Sequence, residues 1–399
     1  MPESNRIRLA SRLSRVSPSK TFAVAALASE LRARGVDVID FGPGEPDFGT
    51  PLAIRVAAKR AIDAGYTRYT NVPGCDELRD AIVRKYADKY GLALTKRNVV
   101  AGTGGKQELF NVAFCILDPG DEVVIPAPYW VSFPDQVVLA GGEPVFVQTT
   151  IEDRFRPTAA LIESGFSSRT RAVILNSPCN PSGAVVQEAE LRKIVELCAS
   201  RGALLIYDET YEFFVYDGQR HASVMSWFDE YPSSMVAIGS LSKSFAMTGW
   251  RLGYAVGHPD LIAAMSNLQS HSTSNPSSIS QMAGVAALQG DPADVRTMYE
   301  AYVERRKWLV PALNEIPGLE CAVPDGAFYV FPRVKSLFGK RGIRDSQDVA
   351  TYLLEAAAVA VVPGSAFGQD DYVRLSYATS LESIKEGVRR MREAIEALG

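Results

Sequence analysis

At 399 residues the chain exceeds what one simple hydrophobic core holds, so two domains are expected. Its 47% hydrophobic and 22% charged residues suit a soluble globular protein, and no apolar stretch is long enough to span a membrane. A net charge of −4 with no long basic run argues against nucleic acid as a partner. Cys75, Cys115, Cys179, Cys198 and Cys321 are scattered and include no CxxC pair, which points to a reducing, cytoplasmic setting rather than to disulfides or zinc. His221, His258 and His271 have no ligand-like spacing, so no metal site is expected and histidine-based nucleophile chemistry is poorly supplied.

Residues 4–20 hold Arg6, Arg8, Arg12 and Arg15 among serines, with no acid. The composition resembles a transit peptide, but it has no cleavage-like apolar region, and a short basic amphipathic helix packing on a partner subunit is the simpler reading. A helical period then runs over 24–34 and stops at Gly35, and a strand over 36–41 enters the turn Gly42-Pro-Gly-Glu-Pro-Asp47. Pro51 opens a helix to Ala64, and Asp76 is placed to cap a helix over 77–90. From there short apolar runs recur at 98–101, 122–125, 144–147, 171–175, 203–207, 235–238 and 252–256. Unbroken rather than alternating runs belong to strands covered on both faces. Helical patterns fall between several of them, as at 106–117 and 188–201. This predicts an α/β fold, a three-layer large domain around a mainly parallel seven-stranded sheet. After Gly257 a helical zone runs over 260–313, broken at 270–278 and 290–292. Strands at 327–331, 359–362 and 372–377 with helices between them predict a smaller α+β domain. The expected division is 1–48 as an N-terminal arm and part of the small domain, 49–290 as the large domain and 291–399 as the small one.

Ligands of such a sheet sit outside the carboxyl ends of the strands. The first strand is followed by Gly102-Thr-Gly-Gly-Lys-Gln107 at a helix start, where bare amides bind phosphate. The second is followed by Trp130, flat enough to stack on a ring, and the fourth by Asn180, an amide that can donate to a phenolate. The fifth ends on Asp208 with Tyr211 close behind, and a carboxylate there needs a cationic partner such as a protonated pyridine nitrogen. The sixth leads into Ser240-Leu-Ser-Lys243, with Arg251 eight residues on. A desolvated lysine amine forms a Schiff base with an aldehyde, and serines with an arginine suit a phosphate. Each signal alone has an ordinary structural reading: a connecting turn, a packing tryptophan, a capping aspartate, a solvated lysine. Together they converge on one ligand, pyridoxal 5′-phosphate.

The same motifs carry a resemblance. Gly44-Glu-Pro-Asp-Phe48, Gly104-Gly-Lys-Gln107, Ala127-Pro-Tyr-Trp-Val131, Asn176-Ser-Pro-Cys-Asn-Pro-Ser-Gly183, Asp208-Glu-Thr-Tyr-Glu212, Ser242-Lys-Ser-Phe-Ala-Met-Thr-Gly-Trp-Arg251 and Arg374-Leu-Ser-Tyr-Ala378 resemble those of a class I aminotransferase of PLP fold type I, in the bacterial aspartate aminotransferase subgroup. The likeness runs from about Pro18 to the C-terminus. It implies that Lys243 holds the cofactor and then moves the proton, that Asp208 keeps the ring nitrogen protonated, and that Tyr211 and Asn180 bond the ring oxygen. It implies Trp130 on the ring face, and Gly104, Gly105, Lys106, Ser240, Ser242 and Arg251 around the phosphate, with Tyr69 reaching in from the other subunit of a homodimer with shared active sites. Arg374 would fork the substrate α-carboxylate, with Gly44 closing the pocket by its backbone and Trp130 and Asn180 beside the substrate. Cys179 stands where the family usually has asparagine, and Lys20 where a small residue is common. Lys20 either attracts a second carboxylate or points to solvent, and Lys106 resembles the residue that meets that carboxylate. The expected reaction moves an amino group from an L-amino acid, aspartate foremost, to 2-oxoglutarate. Alternatives are an aromatic, prephenate or alanine aminotransferase, and more distantly a PLP-dependent lyase. An aminotransferase-like sensor in a transcription regulator would need an attached DNA-binding domain.

Overall fold

A computed structural model describes residues 7, 9–16, 21–291 and 293–399. The first half contains α1 (Thr21–Ala33), β1 (Ile39–Asp40), α2 (Leu52–Asp63), α3 (Asp76–Tyr90), β2 (Val99–Gly102), α4 (Gly105–Ile116), β3 (Glu122–Ala127), α5 (Ser132–Leu139), β4 (Glu143–Gln148), α6 (Ala159–Ser164), β5 (Thr170–Asn176) and α7 (Glu188–Arg201). Then follow β6 (Leu204–Asp208), β7 (Met235–Ser240), β8 (Gly253–Gly257), α8 (Pro259–Ser270), α9 (Ser278–Gln289), α10 (Ala293–Asn314), β9 (Tyr329–Val330), α11 (Ser346–Ala357), β10 (Val359–Ala360), β11 (Val362–Pro363), β12 (Val373–Ser376) and α12 (Leu381–Glu396).

All seven expected central strands form one sheet, in the order β2-β8-β7-β6-β5-β3-β4. Strand β8 is antiparallel to both neighbours, and every other pair is parallel. Successive side chains point to opposite faces. Val99, Ala101, Met235 and Ala237 thus pack under α2, α3, α7 and α9, while Val100, Val236 and Ile238 pack under α4, α5 and α8. That double cover makes the strands read as apolar runs. Each fully buried Val, Leu or Ile contributes roughly 1.5–3 kcal/mol, so polar groups are displaced to the strand ends. A third core gathers Ala28, Leu309, Leu353 and Val388 from α1, α10, α11 and α12, with Phe41 after β1 and Leu375 of β12, around two small sheets, β1-β10 and β11-β12-β9.

Three local expectations are corrected. Asp76 is the first residue of α3, not its cap: Cys75 holds the cap position without a side-chain hydrogen bond. Asp76 and Glu77 instead place negative charge in the first turn, where the helix dipole favours it. The strand expected over 36–41 is only β1, two residues pairing with β10. The basic amphipathic helix of the N-terminus is, among the described residues, a single 3₁₀ turn at Ser11–Arg15 with nothing buried. Five residues without an apolar face to bury cannot sustain a helix; Arg15 instead bonds Glu143 at 2.7 and 2.8 Å. No helix among the described residues is long and apolar enough to cross a membrane.

Candidate active site

The last residues of three adjacent parallel strands, Asn176 of β5, Asp208 of β6 and Ser240 of β7, border one cavity of about 650 Å³. Gly42–Gly44, Tyr329, Phe367 and Arg374 close it from the side of the third core. Lys243 lies in the turn after β7, and its Nζ donates to the Gly44 carbonyl at 2.6 Å. Burial pushes its ammonium down to about 8; Arg251 and Arg374 act in the same direction, Glu45 and Asp208 against it. The amine is therefore partly neutral near physiological pH and able to act as a nucleophile.

Asp208 is buried at the cavity, and its Oδ1 accepts from the Thr210 amide at 3.0 Å, as a turn cap does. Burial pushes its carboxyl up to about 6, opposed by the Thr210 hydrogen bond and the Lys243 charge. Beside it Tyr211 shares a 2.8 Å hydrogen bond with Tyr329, and burial pushes the Tyr211 hydroxyl well above its ordinary range. Arg374 reaches in from β12. Its Nη1 donates to Asn180 Oδ1 at 3.0 Å and its Nη2 to the Gly42 carbonyl, while its Nε has no partner among the described residues. A guanidinium only donates, so the Asn180 oxygen must face Arg374 and the Asn180 amide nitrogen is left for another acceptor. The Arg374 group also lies 4.7 Å over the Tyr329 ring and 5.1 Å over Phe367.

At the other end of the cavity α4 starts without a side-chain cap, so its first amides stay open. Lys106 sits in that first turn with its amine 4.7 Å over the Trp130 ring. Burial, then Arg251, push the Lys106 ammonium down. Arg251 itself is held by the carbonyls of Thr248 (2.9 Å) and Thr103 (3.3 Å). Two cations, an open helix start and the hydroxyls of Ser240 and Ser242 thus converge on one spot, an arrangement that favours a doubly charged anion.

This geometry has relatives. The family model described as aminotransferase class I and II matches residues 36–391. The chain belongs to that family. The aminotransferase is 44% identical to the aspartate aminotransferase of Geobacillus stearothermophilus, over 98% of its own length and 100% of that protein's. It is 45% identical to the aspartate/prephenate aminotransferase of Cereibacter sphaeroides, over 96% and 98%. The solved aspartate aminotransferase of Thermus thermophilus with maleate superposes at a TM-score of 0.92, at 40% identity, over 98% of this chain and 100% of that one. The aminotransferase works with pyridoxal 5′-phosphate.

Its residues fit that group: an amine of depressed pKa, an aspartate short of a cationic partner, and an anion cradle at a distance across one cavity. Of the residues singled out in the sequence, Gly44, Gly105, Lys106, Trp130, Asn180, Asp208, Tyr211, Ser240, Ser242, Lys243, Arg251 and Arg374 all line the cavity. Gly104 stands just behind it, at φ 98°, ψ 158°, and a methyl there would lie 2.6 Å from Arg251 Nη2. Tyr69 does not line this chain's cavity and is 90% exposed. Lys20 lies outside the described residues. Cys179 turns away from the cavity, its thiol 3.6 Å from the Pro128 carbonyl, so the departure there leaves the lining unchanged. Sequence reading missed Tyr329 and Phe367, which have no motif around them. Their only signal was aromatic content in the small-domain segments.

Gly104→Ala should weaken cofactor binding by about tenfold or more, since the backbone conformation there costs other residues roughly 1–3 kcal/mol and the methyl would displace Arg251. Absorbance titration of the cofactor-free variant measures this, and an unchanged affinity would take Gly104 and Arg251 out of the cradle.

Proposed function

We propose that the aminotransferase moves the amino group of aspartate to 2-oxoglutarate as a cytoplasmic homodimer with shared active sites. The observation that carries the amino-acid reading is the Arg374 guanidinium, buried on the same cavity as the Lys243 amine with N–H bonds left to donate. A carboxylate α to the reacting amine suits that fork. Lys106, at the far end beside Trp130, suits a second carboxylate. The names of the relatives, and the maleate with which the Thermus enzyme was solved, support a four-carbon diacid.

Bound pyridoxal phosphate supplies an aldehyde that joins amines and a ring that takes up the electron pair left when a substrate Cα–H bond breaks. Lys243 holds the cofactor through Nζ and afterwards carries the proton from substrate Cα and back. Asp208 holds the proton on the ring nitrogen. Tyr211 and the Asn180 amide would bond the ring oxygen, and Trp130 would stack on the ring. Gly104, Gly105, Lys106, Ser240, Ser242 and Arg251 hold the phosphate, and Arg374, Gly44 and Asn180 orient the substrate. The exposure of Tyr69 supports its reaching into the site of a second copy. The third core supports a small domain made of 1–48 and 291–399 beside a large one of 49–290.

Comparing kcat/KM for aspartate, tyrosine, alanine and arogenate tests the reading. Aspartate should lead, and a clear preference for another donor would overturn it. Prephenate is a second acceptor to include, because a 45% identical relative is named for it. Arg374→Lys should lower kcat/KM for aspartate roughly 10- to 100-fold, as one charged hydrogen bond of about 1.5–3 kcal/mol is lost from the fork. Steady-state kinetics checks this, and an equal loss for an amine without a carboxylate would remove Arg374 from substrate binding.

A further inference from the structure

Glu108 is fully buried in the first turn of α4, and neither carboxylate oxygen has a hydrogen-bond partner among the described residues. Asn111, which already donates to Gln269, lies beside it, and the other side-chain oxygens close by are acceptors. A methyl built on Gly102 would overlap Glu108 Oε1 and lie 2.7 Å from Gln107 Oε1 and 2.8 Å from Gln269 Oε1, so three side-chain oxygens crowd one point. Gln107 Oε1 already accepts from the Thr103 amide (2.5 Å) and hydroxyl (2.7 Å). Gln269 Oε1 accepts from Asn111 at 3.3 Å. Both amide groups are also committed by their nitrogens: Gln107 to the Thr273 hydroxyl, Gln269 to the carbonyls of Val72 (2.8 Å) and Ala101 (2.9 Å). Neither can turn over to offer Glu108 a donor without breaking those bonds. Oxygens so placed repel unless one of them carries hydrogen.

We propose that Glu108 is a positioning residue that keeps the cofactor-phosphate cradle in place only while it carries its proton. The neutral acid supplies the hydrogen the cluster lacks. Its loss puts a bare anion between Gln107 and Gln269, and one of them must move. Gln107 fixes Thr103, whose carbonyl holds Arg251, and the turn continues directly into Gly104, Gly105 and Lys106. Gln269 fixes Val72, in the segment that carries Tyr69. An ionised Glu108 also sits one helical turn from the site of the phosphate and repels it.

Burial pushes the Glu108 carboxyl up to about 8, with Asn111 pulling the other way. On the surrounding elements, Lys106 of α4 lies over Trp130, Asp135 of α5 lies beside Tyr129 and Tyr254 of β8 bonds Lys85. The thiol of Cys115, also on α4, is the group that Glu108's charge pushes upward. The proton is lost as pH rises through about 8, so the cradle is whole below that pH and loosens above it.

The inference rests on the proposed role of the α4 start and Arg251 in holding the cofactor, and the test separates the two. Cofactor release from holoenzyme is followed against pH for the wild type, Glu108→Gln and Arg251→Gln. Wild-type release should speed up by about tenfold in all as pH rises through the Glu108 pKa and level off above it, whereas Glu108→Gln, neutral at every pH and still a donor, should lack that rise. Arg251→Gln should release faster at every pH. If it does not, the cradle reading fails. If it does while Glu108→Gln follows the wild-type profile, the role of Glu108 alone is overturned. Infrared spectra of wild-type holoenzyme need no variant: the carbonyl band of a neutral carboxylic acid should be present at about pH 7 and gone by about pH 9.5. Its absence at the lower pH overturns the proposal. So does a release profile that changes when K⁺ replaces Na⁺ at fixed ionic strength, because a cation would then fill the cluster in place of the proton.

Discussion

Lys243→Ala should give a folded protein that binds pyridoxal phosphate loosely and has lost at least about 10⁴-fold in kcat, because it lacks both the amine that attaches the cofactor and the group that moves the proton. Proton transfer by a positioned side chain is itself worth roughly 10²–10⁴-fold, and the loss of orientation adds to it. Folding should not suffer. The Lys243 ammonium is disfavoured by burial, which is why its pKa falls to about 8, and its one hydrogen bond is to the Gly44 carbonyl at the cavity edge. Removing it relieves a desolvated charge, so the melting temperature of the cofactor-free variant should equal or exceed that of the cofactor-free wild type. Coupled assay of oxaloacetate and thermal melts make the two measurements, and added methylamine should restore part of the rate by replacing the missing base. A variant within tenfold of wild-type kcat would refute the role given to Lys243.

The parts of this molecule that could be read in advance share a physical cause. Strands β5, β6 and β7 are buried on both faces, so their sequences are unbroken apolar runs, and the first polar residue after each run marks a strand end facing the cavity. Asp208 and Ser240 stood out for that reason, and Asn180 and Lys243 were read from the turns that follow the fourth and sixth runs. What could not be read depends on contacts between distant segments. Tyr329 meets Tyr211 across 118 residues, and nothing local distinguishes it from a core tyrosine. Asp76 looked like a cap because an acid before a helix usually is one; only the backbone at Cys75 shows where the helix begins. Glu108 reads as an acid complementing the helix dipole in a first turn, a common exposed feature. Its burial between α4 and α8 comes from the sheet packing and leaves no trace in spacing or composition.

Asp208→Asn should leave the cofactor bound and the substrate KM little changed while lowering kcat roughly 10²- to 10⁴-fold, the equivalent of about 3–5 kcal/mol for breaking a buried charge pair. The substitution is nearly isosteric. An asparagine oxygen can keep the 3.0 Å hydrogen bond from the Thr210 amide, so the end of β6 and the position of Tyr211 should survive. What is lost is the negative charge. Burial already pushes the wild-type carboxyl up to about 6, a sign that the site makes the charge costly and leaves it in want of a cation. In the proposed reading a protonated ring nitrogen is that cation, and a neutral amide would not hold the proton there. The ring then takes up electrons less readily, which slows the step that breaks the Cα–H bond and not the binding that precedes it. The discriminating measurement is therefore the split between kcat and KM, together with the primary isotope effect of Cα-deuterated aspartate, which should rise as proton removal becomes rate-limiting. A fall in KM-limited binding with kcat intact would show that Asp208 serves only to cap its turn.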